Sequence, residues 1–573
     1  MEHPVYLPNF VRVYVNCYNT PSRLFVTGGA ELASQEGTTQ GDPLAMPLYA
    51  LSLMPLLHEL HGTAHHIWYA DDAQATGKLA ALRKWWDLLA SRGPGYGYFV
   101  NASKTILVCK PDKKEEATTI FQGTGIKLAD GARDLGSVIG TSNYIQNYIA
   151  EKVSTFCNEM HLLARVAETS PHAAHAAYVH GMRHRWRFLL RTTPNVSEAF
   201  VPLESVIRHK FIPALLGGHT VSDAERLLLS LPGRHGGFAI DNPVLDSEFH
   251  HLSSERLSRN LVNQLKQQDH VLVVNREQQD TVRMDIRTEN ERRHKDFVEE
   301  LTSSLSSDQC RAMHAAQVKG ASFLATTMPL KKYGFSLSKI EFRDHLLMRY
   351  RWPIPDLPVT CACGVPFSVD HSQNCHLGGF VNMRHDEVRD LLAMDMKKIL
   401  KDVETEPRLA PLTGESLQPR SANTRDDARS DIRARGFWCR QQNAFFDIRV
   451  FYPHASSYLH RSLPSLFESM EKIKKREYQD RILNIEQGSF TPLVFASTGG
   501  MGKEAAIAIK KLALNLSEKK GERLSDILGL LRCRIAFALM RAAHICLRGS
   551  RPSKTHHNDE PADLIISEAR VLH

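Results

Sequence analysis

The sequence predicts an α+β multidomain protein, and three observations carry that expectation. The chain has 573 residues, 42 % apolar and 23 % charged, which is ordinary for packed globular cores. Its apolar pattern switches repeatedly between short strand-like runs and amphipathic helical stretches. Three of its ten cysteines fall within the fifteen residues CACGVPFSVDHSQNC, a clustering that suggests metal ligation rather than disulfides. At about 150 residues per domain, the length suggests three or four domains and excludes a wholly disordered chain. Lys plus Arg is 71 and Asp plus Glu is 63, for a net charge of +8. That mild excess permits a nucleic-acid partner without requiring one. Ten cysteines are too sparse for a disulfide scaffold. No run of 18 apolar residues is present, so no membrane span is expected. The start, MEHPVYLPNF, lacks the basic and apolar regions of a signal peptide, so an intracellular, reducing compartment is expected.

The elements follow in chain order. VRVYVNCY reads as a strand, with TPSR and TGG as turns. Glu36 to Leu60 reads as a Gly/Thr-rich turn leading into an apolar helix; Pro43 suits its start, and Pro47 and Pro55 should kink it. HHIWYADDAQATG reads as a strand turning at two adjacent aspartates, LAALRKWWDLLASRG as an amphipathic helix, and YGYFVNASKTILVCK as strand–turn–strand. Residues 141–345 are mostly helical in pattern, interrupted by the Gly-rich turn LPGRHGGFAIDNP. The charged run KQQDHVLVVNREQQDTVRMDIRTENERRHKDF reads as a long solvated helix or a linker. From Met383 the order is helix, strand (SDIRARGF), strand (NAFFDIRVFYP), basic helix, strand (FTPLVFAST), helix, which is a small α/β domain. Residues 407–427 read as a loop and the last twenty or so as a frayed tail.

Three constellations point to chemistry. Asp71 and Asp72 stand together at a hairpin tip, where like charges gain nothing unless a divalent cation sits over them. The ordinary alternative is an exposed Asp-Asp turn. Cys361, Cys363, His371 and Cys375 form C-x-C-x7-H-x3-C, three thiolates and an imidazole suited to a closed Zn²⁺ site, with His376 as a substitute ligand. Asp431 and Asp447 lie on neighbouring strand-like runs. Asp447 is flanked by Phe445, Phe446, Ile448 and Val450, so its carboxylate needs a partner or a metal. Together the two acids would build a Mg²⁺ (or Mn²⁺) site for phosphodiester hydrolysis. Lys472, Lys474 and Lys475 lie on the next helix, with Tyr478 one turn on. A salt bridge from Asp447 to Arg433 or Arg449 is the structural alternative. The arginines 425, 429, 433, 435 and 440 suit phosphate neutralisation. Phe437 and Trp438 beside them read as core before stacking platforms, and His65, His66, His556 and His557 as surface residues.

These motifs resemble the polyprotein of non-long-terminal-repeat retrotransposons. EGTTQGDPLAMPLYAL, with Gln40, Gly41, Asp42 and Pro43, is similar to the segment of their reverse transcriptase that cradles template and nucleotide. YADD resembles the metal-binding palm hairpin, Asn101 and Lys104 the following palm segment, DLGSVIG the primer grip, and LPGRHGGFAI a turn of the thumb. A third palm carboxylate should precede Gln40, yet only Glu2, Glu31 and Glu36 do, none in an apolar strand; the polymerase is therefore expected to be truncated at its N-terminus and inactive. The Cys/His cluster is similar to the zinc knuckle that precedes the family's restriction-enzyme-like endonuclease. Arg384, His385 and Asp386 match that nuclease's arginine–histidine lead-in, Asp431 and Asp447 its two strand acids, and Lys475 with Tyr478 its helix-borne lysine. Ser430 replaces the usual proline, Arg449 stands where lysine is common, and Glu404 or Glu406 would supply a further acid.

The resemblance implies five segments: a partial palm over 1–140, a helical thumb and connector over 141–345, a zinc knuckle over 346–380, an endonuclease over 381–550 and a disordered tail over 551–573. It implies target DNA and element RNA as partners, contacted through Arg384, His385, Arg433, Arg435 and Lys472, with a nuclear location if chromosomal DNA is cut. The expected function is a metal-dependent DNA endonuclease on a polymerase remnant. The alternative is a non-catalytic nucleic-acid-binding protein, decayed or co-opted.

Overall fold

The computed structural model describes residues 18–34, 42–267, 275–410 and 428–551. Gln40, Gly41, Arg425, His556 and His557 lie outside them, as do VRVYVNC, most of the expected 407–427 loop and residues 552–573. The protein is α+β, mostly helical with small sheets. It divides into two units, Met1–Tyr148 with Glu255–Gln279, and Ile149–Ser254 with Asp280–His573. No helix among the described residues is long and apolar enough to cross a membrane.

In the first unit, β1 (Ser22–Phe25) and β2 (Glu31–Ser34) form an antiparallel pair. Helix α1 (Ala45–Leu60) begins just after Asp42, whose carboxylate accepts the Leu44 N–H at 2.8 Å and the Tyr18 hydroxyl. Its buried Leu53, Leu56 and Leu60, spaced three and four apart, pack on Trp85, Trp86 and Leu89 of α2 (Leu79–Arg92). Between these helices β3 (His65–Tyr69) and β4 (Asp72–Thr76) form the expected hairpin. His66 is not a simple surface residue, because its Nδ1 accepts the Trp68 indole N–H at 3.0 Å. The strand–turn–strand expected over 96–110 yields only its second strand, β5 (Ile106–Val108), which pairs in parallel with β6 (Lys127–Ala129). The first strand is lost because the Tyr98 N–H bonds back to Gly93 O and its ring packs edge-on against Trp68, 5.0 Å between centroids. Short helix α3 (Lys114–Ile120) links β5 to β6, and hairpin β7 (Gly131–Asp134) and β8 (Ser137–Gly140) follows.

The second unit opens with the helical stretch the sequence predicts, beginning within α4 (Ser142–Thr169). Three of its helices start at capping boxes, each satisfying two end N–H groups: Ser222/Glu225 before α5 (Asp223–Ser230), and Ser306/Gln309 and Ser338/Glu341 farther on. Helix α6 (Pro243–Gln267), which belongs to the first unit from Glu255 on, is followed by α7 (Arg276–Ser304), the solvated helix of the charged run, which belongs to the second unit from Asp280 on and in which Leu301 is the one buried residue. Then come α8 (Ser307–Gln317) and α9 (Lys339–Tyr350). The LPGRHGGF turn packs against α8; Gly236 has φ +86°, and a Cβ there would lie 2.8 Å from Met313 O.

The unit ends in α10 (Phe380–Lys397), β9 (Val403–Thr405), β10 (Ile432–Arg435), β11 (Asn443–Phe451), α11 (Leu463–Asn484), β12 (Ser489–Ala496), α12 (Lys503–Lys520) and α13 (Leu524–Arg548). The sheet order is β12-β11-β10-β9. The pairs β9/β10 and β10/β11 are antiparallel, and β11/β12 is parallel with α11 as the crossover. Val388 and Leu392 of α10, Phe446 and Ile448 of β11, and Ile509 and Leu512 of α12 share one core with Leu539 of α13. The expected order is present with two additions, edge strand β9 and helix α13. Phe437 is 1 % exposed and Trp438 packs against the same core, as expected of core residues.

Candidate active site and metal centre

The two strand acids meet at β11. Asp447 is central in that strand, opposite Pro492 of β12, and is 3 % exposed. Asp431 immediately precedes β10 and grips β11 on both sides of Asp447: its N–H donates to Phe446 O at 3.0 Å, and its carboxylate accepts the Ile448 N–H. Burial, and next the Asp431 charge, push the Asp447 carboxyl up to about 7. Neither Arg433 nor Arg449 pairs with Asp447. Arg433 bridges Asp402 and Glu404 at 3.2 and 3.0 Å, on the β9 side.

The cation that reaches Asp447 is Lys474, with Nζ 2.8 Å from Oδ2. Glu477 stands 3.7 Å from the same ammonium, and the Tyr478 ring centroid 5.4 Å away. Burial works against the Lys474 charge, but Asp447, Glu477 and Asp431 outweigh it and hold its pKa above the ordinary lysine value. Lys475, the residue expected here, points elsewhere: it pairs with Glu504 at 2.6 Å. Lys472, expected on nucleic acid, is exposed and pairs with Glu468 at 2.6 Å. On a helix adjacent residues diverge by about 100°, so one lysine of the trio can face the strand while its neighbours do not.

His385 completes the cluster from α10. Its Nε2 lies 3.1 Å from Asp431 Oδ2 and its Nδ1 3.1 Å from Asp386 Oδ1. Burial opposes the imidazolium, but bonds to Asp386 and Asp431 prevail and raise its pKa to about 10. Arg389 then links Asp386 to Glu406. Both further acids are therefore committed to ion pairs, Glu404 with Arg433 and Glu406 with Arg389. Spacing gave no signal for His385 facing Asp431, since 46 residues separate them. Arg384, expected on nucleic acid, is instead 2 % exposed, and its guanidinium donates to Gln373 O and Oε1 at 3.2 and 3.1 Å. Arg435 is exposed at the far end of β10, donating to Gln441 O.

The four Cys/His donors converge. Their ligand atoms all lie within 4.8 Å of one another. Cys361 Sγ is 3.9 Å from Cys375 Sγ, and Cys363 Sγ is 3.3 Å from His371 Nε2. A tetrahedral ion with Zn–S near 2.3 Å sets donors roughly 3.7 Å apart, so the set fits a zinc ion. The tight C-x-C is permitted by Gly364 at φ +89°, whose N–H donates to Cys361 O. Ser368 caps the short helical turn bearing His371, and the Cys375 N–H bonds back to His371 O. Arg384 and Gln373 fasten this knuckle below, with Gln373 Nε2 donating to Ala543 O of α13. Asp370 fastens it to the segment just after β11 by accepting the Tyr452 hydroxyl at 2.7 Å.

In the first unit Asp71 and Asp72 are exposed at the β3–β4 tip, where Ala70 takes φ +55°. The Tyr98 hydroxyl donates to Asp71 O at 2.9 Å. Burial, and then Asp72, raise the Asp134 carboxyl, which also accepts Gln74 Nε2 at 2.7 Å. Asp42 serves as a helix-start acceptor, with Pro43 beside it. Lys104 lies exposed in a turn that Asn101 closes by accepting its N–H.

No family model matches the chain, and no curated protein matches it.

Proposed function

We propose that this protein is a metal-dependent DNA endonuclease of the kind carried by non-long-terminal-repeat retrotransposons, borne on a chain with a reverse-transcriptase-like palm hairpin. The observation that carries the reading is the Asp431–Asp447–Lys474 cluster around inner strand β11. Asp431 and Asp447 would hold Mg²⁺ or Mn²⁺. Two carboxylates meeting at one strand, one of them raised first by burial and then by the charge of the other, form a donor set that a hard divalent cation would relieve. That ion would supply Lewis-acid polarisation of the phosphate.

The remaining roles belong to the chain. Lys474 sets a fixed positive charge within reach of the same carboxylates, where it orients an attacking water and offsets charge developing on the phosphate. His385 fixes the rotamer of Asp431 and keeps its oxygen from swinging toward solvent. An open groove lined by Lys401, Arg435, Arg440 and Lys511, with Trp438 at its wall, offers cations for the DNA backbone. The knuckle, closed by four protein ligands, has no open metal position and is structural or nucleic-acid-contacting.

A second reading, a nucleic-acid-binding protein without cleavage, is favoured by one observation. Each acid already has an internal cation, Lys474 for Asp447 and His385 for Asp431. The test is zinc-loaded protein incubated with supercoiled plasmid, with and without Mg²⁺, beside Asp447→Ala. Nicking that needs Mg²⁺ and disappears in the variant supports the endonuclease. Absent nicking, with salt-sensitive DNA binding unchanged by the variant, supports the binding protein.

A further inference from the structure

A second cluster of metal-binding donors lies away from the nuclease site. His235 is presented by the Gly-rich turn after α5, and Glu291 and His294 are three apart on α7, hence on one helix face. One ligand atom from each lies within 4.8 Å of the others. The imidazoles of His235 and His294 have centroids 5.2 Å apart, tilted by 48°. Two imidazoles on one tetrahedral zinc, with Zn–N near 2.0–2.1 Å, would place their centroids roughly 5 Å apart.

The surroundings suit a ligand set better than a plain ion pair. Glu291 turns Oε2 to the Arg234 guanidinium at 2.9 Å and Oε1 to His235 Nε2 at 3.1 Å. One carboxylate oxygen is thus oriented by an outer partner while the other faces the histidines, as is usual around metal ligands. His294 Nδ1 is buried with no hydrogen-bond partner. A buried imidazole nitrogen is normally satisfied, so this one calls for an explanation. The turn is rigid: His235 N–H bonds to Pro232 O, Gly237 N–H to the same oxygen, and Gln317 Nε2 donates to His235 O.

We propose that His235, Glu291 and His294 bind a divalent transition-metal ion, zinc by donor preference, as a second metal site separate from the Cys/His knuckle. Two imidazoles and one carboxylate leave a fourth position for water. Helix α7 buries only Leu301 among its own residues, so little apolar packing holds it. A metal bridging it to the turn anchors it where burial does not.

The test measures zinc bound per full-length chain, supplied as Zn²⁺ alone, in excess Mg²⁺ to occupy Asp431 and Asp447. Wild type should bind two equivalents and His294→Ala one. With Co²⁺ the variant should keep the thiolate charge-transfer band of the knuckle. Glu291→Gln, which retains an acceptor for Arg234, should weaken the second equivalent at least tenfold, and it decides the matter if His294→Ala does not fold. One equivalent in the wild type, or two equally tight in a folded variant, would overturn the proposal.

Discussion

Lys474 Nζ lies 2.8 Å from Asp447 Oδ2, joining the middle of α11 to inner strand β11 of the sheet. Both side chains are largely out of water, with side-chain exposures of 15 % and 5 %. Lys474→Met is expected to reduce Mg²⁺-dependent plasmid nicking by about 100-fold or more, the scale of losing one fixed charge from a transition state. Lys475→Met should stay within a few-fold of wild type, because that ammonium is engaged with Glu504. Equal losses in the two variants, compared side by side, would contradict this assignment.

His385 gives the metal-free protein a pH signature. Its folded pKa is about 10 against 6.5 unpartnered. The stability it contributes is fully present below about pH 6.5 and is lost as pH rises toward 10. The melting-temperature gap between wild type and His385→Asn should therefore be widest below pH 6.5 and close by pH 10. A gap that is flat with pH would mean that the imidazole is not held charged between Asp386 and Asp431.

His345 carries the opposite sign. It is buried in α9, and burial lowers its pKa to about 3. The unfolded chain binds that proton first, so stability is present above about pH 6.5 and falls as pH drops below it. The slope is about 1.4 kcal/mol per pH unit for one proton. His345→Leu should flatten acid unfolding between pH 6.5 and 4. An unchanged slope in denaturant titrations across that range would refute it.

The knuckle should be structural in its own right. Cys375→Ser is expected to remove one zinc equivalent and to lower the melting temperature, because ligand binding and local folding are linked. Arg384→Met leaves the buried Gln373 amide oxygen and carbonyl short of a donor, at a cost of about 1–3 kcal/mol. Its DNA affinity, measured below the melting transition, should match wild type. A selective fall in affinity without destabilisation would return Arg384 to the nucleic-acid surface.

Salt dependence separates phosphate contacts from structural cations. Arg435→Ala and Arg440→Ala should each reduce the slope of log affinity against log salt by about one. Arg433→Ala should change it less, since Asp402 and Glu404 already neutralise that guanidinium. Equal slopes in the three variants would count against the groove as the DNA path.

Several features were legible because they depend on short stretches of chain. The Asp71-Asp72 hairpin follows from alternating residues on either side of a turn, and the turn forms where expected. The Cys/His cluster spans 361–375, short enough for spacing alone to bring four ligands together. Asp431 and Asp447 read as a pair because they sit on adjacent strand-like runs, and one antiparallel connection joins those strands. Other features left no local trace. Strand β9 has three residues and no periodicity to detect. Arg384 reads as a surface cation in any sequence window, yet it lies beneath the knuckle.

By itself, then, the sequence determined the α+β character, the four zinc-ligand candidates and the two acids on the central sheet, all through period and spacing along the chain. Only the tertiary structure decided that Lys474 rather than Lys475 reaches Asp447, that His385 faces Asp431, and that His235 meets Glu291 and His294. The reason is geometric. Local pattern fixes which face of a strand is buried, but the partner across a packed interface depends on helix rotation. A step of one residue turns a side chain by about 100°, and that angle is set by the whole core against which the helix rests.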